Sequence, residues 1–372
     1  MHNAEHAAQE FAEKLASRDR HVVLFLGAGA SCAAGLPDLA GLQAAVQEKL
    51  DAPDREAFAR LSSSRNIEGV LSRLRLVAQV LEGTTDKLDG LGAAAAAELD
   101  HRICTLIATV MARENLGVEA HACLAQWLGF GRYTRPIEVF TTNYDVLIER
   151  GLEHASVPYF DGFIGVHEGR FRADLVDGGE VPGQLMPPAG WVRVWKLHGS
   201  VSWTVKQISG SATIIRSAAA KDVAPTSVLA IYPSSQKYQE SRRIPFVVLA
   251  DRLRRALAVP KTVCIVCGYS FGDDHINETL FDGARLHPSS EVIALFFNEI
   301  PESVVARASA IPNLTLYGPQ RAVVGGIDAP WQSVPNPGPF WSAGFSLGDF
   351  NAFARFMMRD AKQGTATHAP AE

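Results

Sequence analysis

The stretch HVVLFLGAGASCAAGLPD, residues 21–38, decides the fold. Its first six residues form a continuous apolar run that ends at glycine, which predicts a short parallel strand buried on both faces. Gly27–Gly35 then predict a glycine- and alanine-rich turn, and a helix is expected to begin after Pro37. Closely spaced glycines after a strand let backbone N–H groups approach a diphosphate, although a purely structural turn accounts for them equally well.

The alternation of apolar strands and helices continues along the chain. Further strands are predicted at Ile137–Phe140, Val192–Leu197, Val228–Tyr232, Thr262–Cys267 and Val292–Phe297, and helices at Asn143–Glu153, Phe246–Leu257 and Asn277–Leu286. This order is typical of an α/β fold with a Rossmann-like parallel sheet.

We expect a single domain of residues 1–372, in which other segments interrupt the alternating strands and helices. The Rossmann core is predicted from 20–39, 136–155 and 191–320, with a large helical insertion at 40–130 and an irregular small module at 156–190. One helix of the insertion is expected to share an apolar face made of Ile67, Val70, Leu71, Leu74, Leu76 and Val77.

An aromatic tail follows at 330–372. It either packs on the domain's own surface or contacts another subunit or partner, and its last residues are expected to be disordered.

Composition indicates a globular protein of the cytoplasm. The chain has 372 residues, 47% of them hydrophobic, and a net charge of -5. With an isoelectric point near 6.1 it has no general attraction for nucleic acid or anionic membrane. It also lacks an apolar run long enough to span a bilayer. Its N-terminus is polar, which argues against a signal peptide.

The five cysteines favour a reducing compartment and no metal site. Their number is odd and they are scattered, which argues against a disulfide framework. Cys264 and Cys267 form a C-x-x-C pair inside a predicted buried strand, where residues three apart point to opposite faces and cannot easily share a metal.

Polar residues follow several of the predicted strands. They are Thr141-Thr142-Asn143-Tyr144-Asp145 after the strand IEVF, Lys196-Leu197-His198-Gly199-Ser200 at the end of VRVWKL, Gly268-Tyr269-Ser270 and the following residues to Asn277, and Asn298. The carboxyl ends of parallel strands line the ligand crevice of such a sheet, so these residues are candidates for binding or catalysis.

Structural roles remain open for each of these residues. Thr142 or Asn143 could cap a helix that has Asp145 in its first turn. His198 could be a satisfied structural histidine, and Asp273 and Asp274 could be helix caps.

The order of these motifs is more specific than any one of them. GAGAS-x₃-GLPD, then TTNYD, KLHGS, GYSFGDDHIN and FFN, resembles the sirtuin family. It is most similar to the bacterial sirtuin-like branch of anti-phage defence systems. The resemblance runs from about residue 20 to 300 and matches the middle insertions poorly.

The resemblance implies a sirtuin-type Rossmann fold and NAD⁺ as the substrate, with no metal. Asn143 and Asp145 would form the nicotinamide-ribose pocket and His198 would be the catalytic histidine. The remaining cofactor-binding residues would be Gly27, Ala28, Gly29 and Ser31 at the diphosphate, Pro37 and Asp38 near the nicotinamide, Thr142 beside Asn143, and Gly268, Ser270 and Asn298 at the adenosine half.

Departures from the sirtuin deacylases argue against protein deacylation. Leu39-Ala40 stands where those enzymes usually have a phenylalanine–arginine pair, and Thr142 stands where they have glutamine. The four-cysteine zinc module and the residues that bind an acyl-lysine peptide are not recognisable either.

We therefore expect an NAD⁺ glycohydrolase that releases nicotinamide and ADP-ribose. The alternatives are a deacylase or ADP-ribosyltransferase, which would transfer rather than hydrolyse, and a non-catalytic sensor of NAD⁺ or ADP-ribose.

The resemblance also implies control of an activity that would deplete the cell of NAD⁺. We expect gating by homo-oligomerisation or by a defence partner such as a hexameric translocase ATPase, through the helical insertion or the aromatic tail. Neither a membrane nor nucleic acid is an expected partner.

Overall fold

The computed structural model describes residues 1–130, 133–177, 186–230, 244–333, 338–341 and 344–366, with the side chains described up to residue 359. Its helices are α1 (Ala4–Ala16), α2 (Ala28–Cys32), α3 (Leu39–Lys49), α4 (Ala52–Ser62), α5 (Ile67–Val80), α6 (Ala93–Met111), α7 (Glu119–Phe130), α8 (Leu147–His154), α9 (Ala173–Asp177), α10 (Phe246–Ala258), α11 (Asp274–Leu286), α12 (Glu302–Ser309) and α13 (Phe350–Ala366). Its strands are β1 (His21–Leu26), β2 (Glu138–Thr141), β3 (Tyr159–Phe160), β4 (Phe163–Ile164), β5 (Glu168–Phe171), β6 (Val192–Lys196), β7 (Gly199–Ile208), β8 (Ser211–Ser217), β9 (Val228–Ala230), β10 (Thr262–Cys267), β11 (Glu291–Leu295), β12 (Leu314–Tyr317), β13 (Arg321–Val324) and β14 (Ile327–Pro330).

The apolar run of residues 21–26 forms β1, an interior strand of a nine-stranded sheet. The strand order is β14-β13-β12-β11-β10-β1-β2-β6-β3, and all pairs from β12 to β3 are parallel. All six residues of β1 are buried, because helices cover both faces of the sheet. The predicted α/β fold with a Rossmann-like parallel sheet is confirmed.

Alternate residues of each central strand enter separate cores on the two faces of the sheet. On β1, Leu24 joins the core under α1 and α7, whereas Phe25 joins the core under α10 and α11. On β10, Cys267 lies in the first core and Cys264 in the second, so the two thiols point to opposite faces as the strand periodicity predicts. Burial raises the pKa of both thiols.

Residues 40–130 contain helices α3 to α7. Helices α3 to α6 build a third core around Val46, Phe58, Leu71 and Ile107. The apolar face predicted for α5 is buried except at Leu76, whose side chain is 44% exposed, so that residue was placed on the wrong face.

A second sheet of five antiparallel strands has the order β4-β5-β8-β7-β9. It combines strands of 163–171 with strands of 199–230, and two short 3₁₀ turns at Ala220–Asp222 and Pro225–Ser227 precede β9. The small module predicted at 156–190 and the core predicted at 191–320 therefore share this sheet. Strand β9 ends at Ala230, and the predicted strand residues 231 and 232 lie outside the described residues.

The aromatic tail packs on its own chain. Phe340, Phe345, Phe350 and Phe353 are all buried in the core under α1 and α7. The rings of Phe11 and Phe356 stack with centroids 5.7 Å apart. Of the two interpretations of the tail, packing within the domain is the one observed. The disorder predicted for residues 362–372 is wrong for 362–366, which belong to helix α13, and 367–372 lie outside the described residues.

Two helices begin elsewhere than the sequence indicates. The predicted glycine-rich turn contains helix α2, which begins at Ala28, directly after β1. The helix predicted from Asn143 begins only at Leu147, because Asn143 and Asp145 are engaged in a loop.

No helix among the described residues has the length and apolarity needed to cross a bilayer. The same residues contain no cluster of three or more His, Cys, Asp or Glu side chains that could hold a metal ion.

Candidate active site

Four loops meet at the carboxyl ends of β10, β1, β2 and β6, which are neighbours in the sheet. The strand order changes direction at β1 and β10, since the chain adds β2 and β6 on one side of β1 and later returns to add β10 on the other. Ligands of open α/β sheets bind at such a switch point, outside the carboxyl ends of the strands.

Glycines let the loops after β1 and β10 pack backbone against backbone. A Cβ on Gly27 would lie 2.5 Å from the Gly268 carbonyl oxygen, and one on Gly29 would lie 2.7 Å from the Gly268 Cα. Gly268 itself has φ +69°, which an L side chain rarely adopts. The Gly29 N–H donates to the Gly268 carbonyl at 2.8 Å, so this amide is engaged within the protein. Close loop packing thus requires these glycines, whatever else they do.

Asn143 bridges the loops after β2 and β1. Its side-chain nitrogen donates to the Gly27 carbonyl at 2.9 Å and to Ser31 Oγ at 2.8 Å. Its backbone N–H donates to Thr141 Oγ1 at 3.0 Å. Because both amide hydrogens are used, the oxygen Oδ1 is the group that this half-buried side chain can offer to a ligand, as an acceptor.

Asp145 completes the same hydrogen-bond chain. Ser31 Oγ donates to Asp145 Oδ2 at 2.5 Å, and the Leu147 N–H donates to Oδ1 at 3.0 Å. The carboxylate is 4% exposed and satisfies the first turn of α8. Asp145 therefore precedes the first turn of α8, where the structural interpretation had placed it inside that turn, and it accepts from this turn as well as from Ser31.

His198 lies in the tight connection between β6 and β7 and is 8% exposed. Gly199 makes this connection possible, because its φ is +85° and a Cβ there would lie 2.3 Å from the Leu229 carbonyl oxygen. His198 Nε2 lies 3.5 Å from Asp273 Oδ2, which links this loop to the one after β10. Asp273 is also the N-cap of α11, accepting from the His275 and Ile276 N–H groups.

Comparison with known proteins shows which proteins these loops resemble. A model of the SIR2-like domain matches residues 137–311, which contain the loops after β2, β6 and β10 but not the one after β1. The crystal structure of a Sir2 homologue in complex with NAD matches with a TM-score of 0.50 at 16% identity, covering 99% of this chain and 98% of that chain. Residues 137–311, just under half of the chain, therefore match a SIR2-like domain.

The Sir2 homologue shares the fold of this chain along nearly its whole length, at a low identity. A further solved structure is a histidine-to-alanine variant of Sir2 with a deacetylated p53 peptide and 3′-O-acetyl ADP-ribose; it is 14% identical, with a TM-score of 0.43, and covers 96% of this chain and 98% of that chain. A search of curated proteins gave no significant match.

The other candidate residues surround this cluster to different degrees. Thr142 is half-buried, and its N–H donates to the Leu26 carbonyl at 3.4 Å. Asp38 is exposed and caps α3 by accepting from the Gly41 N–H at 2.8 Å. Ser270 and Asn298 are also exposed. The hydrogen-bonded cluster consists of Gly27, Ser31, Asn143 and Asp145, and the remaining candidates are Ala28, next to Gly27 at the start of α2, and the half-buried Pro37 before Asp38.

Two residues near the cluster, Lys196 and Glu149, received no role of their own from the sequence, although Lys196 belongs to the candidate motif KLHGS. Lys196, the last residue of β6, is 1% exposed and donates from Nζ to the Asp145 carbonyl oxygen. Its Nζ also lies 3.0 Å from Glu149 Oε1 on α8. Burial raises the pKa of Glu149, against the opposing effect of Lys196. The signal available in the sequence was a lysine inside the strand VRVWKL, directly before Leu197-His198.

A cavity of about 470 Å³ lies between α8 and the small sheet. Val146, Glu149, Tyr159 and Arg216 are among its lining residues. It borders the small sheet, whereas the candidate residues face the loops after β1, β2 and β10.

Proposed function

We propose that this protein is an NAD⁺ glycohydrolase that breaks the nicotinamide–ribose bond and releases nicotinamide and ADP-ribose. The observation that carries the proposal is the chain of hydrogen bonds from Gly27 through Asn143 and Ser31 to Asp145, beside the loop of His198. The SIR2-like domain supports NAD⁺ as the substrate.

The arrangement suits a reaction that builds positive charge on the ribose. The leaving group is a neutral base, so its departure requires positioning and charge stabilisation more than proton donation. Asn143 Oδ1 would accept a hydrogen bond from the attacking water or from a ribose hydroxyl. The Asp145 carboxylate would stabilise the cation electrostatically, as preorganised groups of opposite charge do.

His198 would accept the proton that the attacking water loses. Its distance of 3.5 Å from the Asp273 carboxylate gives the ring a partner of opposite charge once it is protonated. Binding of the diphosphate would rely on backbone groups other than the Gly29 amide, which donates to Gly268.

The test is incubation of the purified protein with NAD⁺, with nicotinamide and ADP-ribose measured over time. Asn143→Ala and His198→Ala should each lower the rate of nicotinamide release by about 10²–10⁴-fold, the usual effect of removing a positioned acid or base. Circular dichroism would check that both variants are folded. Parental rates in both variants would refute the site assignment.

Product analysis separates the hydrolase from its alternatives. Free ADP-ribose in an amount equal to nicotinamide is the expected result. Acyl- or protein-linked ADP-ribose would identify a transferase instead. Saturable NAD⁺ binding without nicotinamide release would identify a sensor.

From the sequence resemblance we also infer a role in anti-phage defence, with activity released by self-assembly or by an ATPase partner. The helical insertion offers surface for such contacts, whereas the tail aromatics at 340, 345, 350 and 353 are buried. Bacteria that carry the gene should lose NAD⁺ after phage infection, and the His198→Ala form should not lose it. Unchanged NAD⁺ in infected cells that carry the parent gene would contradict this role.

A further inference from the structure

Lys196 is a charged residue in the interior, at the end of a strand whose other residues are also buried. Removing an ammonium group from water costs free energy unless its protons find acceptors. Here Nζ has two acceptors, the Asp145 carbonyl oxygen and Glu149 Oε1. An apolar side chain would fill the same space without this cost, so the choice of lysine calls for an explanation.

The two acceptors lie on residues 143–149, the segment that carries the candidate residues Asn143 and Asp145. Two backbone bonds already join it to the loop of His198: the Leu197 N–H donates to the Thr141 carbonyl at 2.8 Å, and the Val201 N–H donates to the Tyr144 carbonyl at 2.9 Å. Lys196 adds a charged donor at Asp145, the residue whose side chain is held by Ser31.

We propose that Lys196 is a positioning residue that fixes the loop of Asn143 and Asp145 relative to His198. It acts through its hydrogen bond to the Asp145 backbone carbonyl. Lys196 pairs in register with Thr141, the last residue of the neighbouring strand β2. Its side chain therefore sets the spacing between the loop after β2 and the loop after β6. The proposal rests on the proposed function only for its catalytic readout.

A purely structural explanation is that Lys196 neutralises Glu149. The two explanations differ in what happens when both charges are removed. In the double variant Lys196→Met with Glu149→Gln, no charge is left unpaired, so neutralisation is no longer needed. The contact with the Asp145 carbonyl is nevertheless lost. Glu149→Gln alone removes the ion pair but keeps that contact, and it is the matched control.

The experiment compares melting temperature, kcat and KM for nicotinamide release in the parent, Glu149→Gln and the double variant. We expect the double variant to melt near the parent but to lose about 10- to 100-fold in kcat with little change in KM, because small misplacements of catalytic groups reduce turnover. Glu149→Gln should keep a kcat close to the parent. Parental kcat in a folded double variant would overturn the proposal. If the double variant does not fold, Lys196→Arg, which keeps the charge but moves the donor, should show the same loss of kcat, and a parental kcat would overturn the proposal.

Hydrogen exchange decides the matter independently of the reaction. If the parent itself releases no nicotinamide, the proposed function fails, but the role of Lys196 remains measurable. The amides of 142–147 should then exchange faster in the double variant than in Glu149→Gln, with the amides of β10 unchanged in both. Equal exchange of 142–147 in the two variants would overturn the proposal.

Discussion

Ser31 is the residue that joins the two side chains on which the proposed chemistry depends. It accepts from Asn143 Nδ2 at 2.8 Å and donates to Asp145 Oδ2 at 2.5 Å. A hydrogen bond to a charged group contributes about 1.5–3 kcal/mol. Ser31→Ala should therefore slow nicotinamide release by about 10- to 100-fold, since ~1.4 kcal/mol corresponds to tenfold in rate.

A matched control for this variant is Ser309→Ala on α12. Ser309 Oγ donates to the Val305 carbonyl at 3.0 Å, so a hydroxyl with a hydrogen bond is removed far from the proposed site. Kinetics of both variants at saturating NAD⁺ would make the comparison. Parental turnover in Ser31→Ala would show that the bridge has no part in the reaction.

At the scale of single residues, the sequence predicted which side chains belong to the candidate site better than it predicted their hydrogen-bond partners. Asn143, Asp145 and His198 were identified because each follows a strand, and strand ends are visible as the end of an apolar run. Lys196 was noted within the motif KLHGS, but its burial was missed, because an alternating strand pattern predicts that every second residue faces solvent. In the structure, helices and the small sheet cover β6 on both sides, and all five of its residues are buried. Which faces are covered depends on tertiary packing, which a local pattern does not report.

Among the elements, the loops after β1 and β10 pack against each other so closely that they leave no room for a side chain at their glycines. Alanine at Gly268 would combine a φ of +69° with a Cβ 2.6 Å from the Ala30 backbone nitrogen. The backbone conformation alone costs about 1–2 kcal/mol for a residue other than glycine. The overlap adds to it, so Gly268→Ala should lower the free energy of unfolding by at least about 3 kcal/mol.

Gly210 provides the control for backbone conformation without overlap. Its φ is +81° and nothing lies within 4 Å of an added Cβ. Gly210→Ala should therefore cost only about 1–2 kcal/mol. Urea unfolding of both variants measures the difference, and equal losses would mean that the two loops do not pack as closely as described.

The elements that the sequence predicted best are those with a continuous apolar run, such as β1 and β10. Strands of the small sheet were harder, because β7 and β8 are partly exposed and belong to a segment assigned to the Rossmann core. Helix α2 was missed because its sequence, AGASC, contains a poor helix former. Its position directly after β1 outweighs that propensity, since the helix is held by contact with the loop after β10.

For the molecule as a whole, one buried carboxylate makes the free energy of unfolding depend on pH in the acidic range. Glu138 is 1% exposed and accepts from His21, Trp195 and Arg252. Burial alone would raise the pKa of Glu138, but the hydrogen bonds from His21 and Arg252 outweigh it and lower the pKa to about 2, from 4.5. The charged form therefore stabilises the fold above about pH 4.5, and this stabilisation is lost as the pH falls from 4.5 toward 2.

Glu138→Gln should abolish that part of the pH dependence. A shift of this size corresponds to roughly 3 kcal/mol. The variant should be less stable than the parent at pH 7 and show a shallower loss of unfolding free energy between pH 5 and 3 in urea titrations. The raised pKa values of buried Glu149 and Asp161 act in the opposite sense in both proteins, so the difference between them isolates Glu138. Parallel pH profiles would contradict the assignment.

The packing of α13 against α1 and α7 has a consequence for synthesis. Phe11 and Phe356 stack in the same core, beneath the face of the sheet that carries Leu24. Helix α1 therefore leaves the ribosome long before α13, the helix that helps to cover its apolar side. Domains commonly fold from the N-terminus as they emerge. This core can be completed only after translation has passed residue 356. A truncated chain that ends before α13 would lack the side chains that complete it.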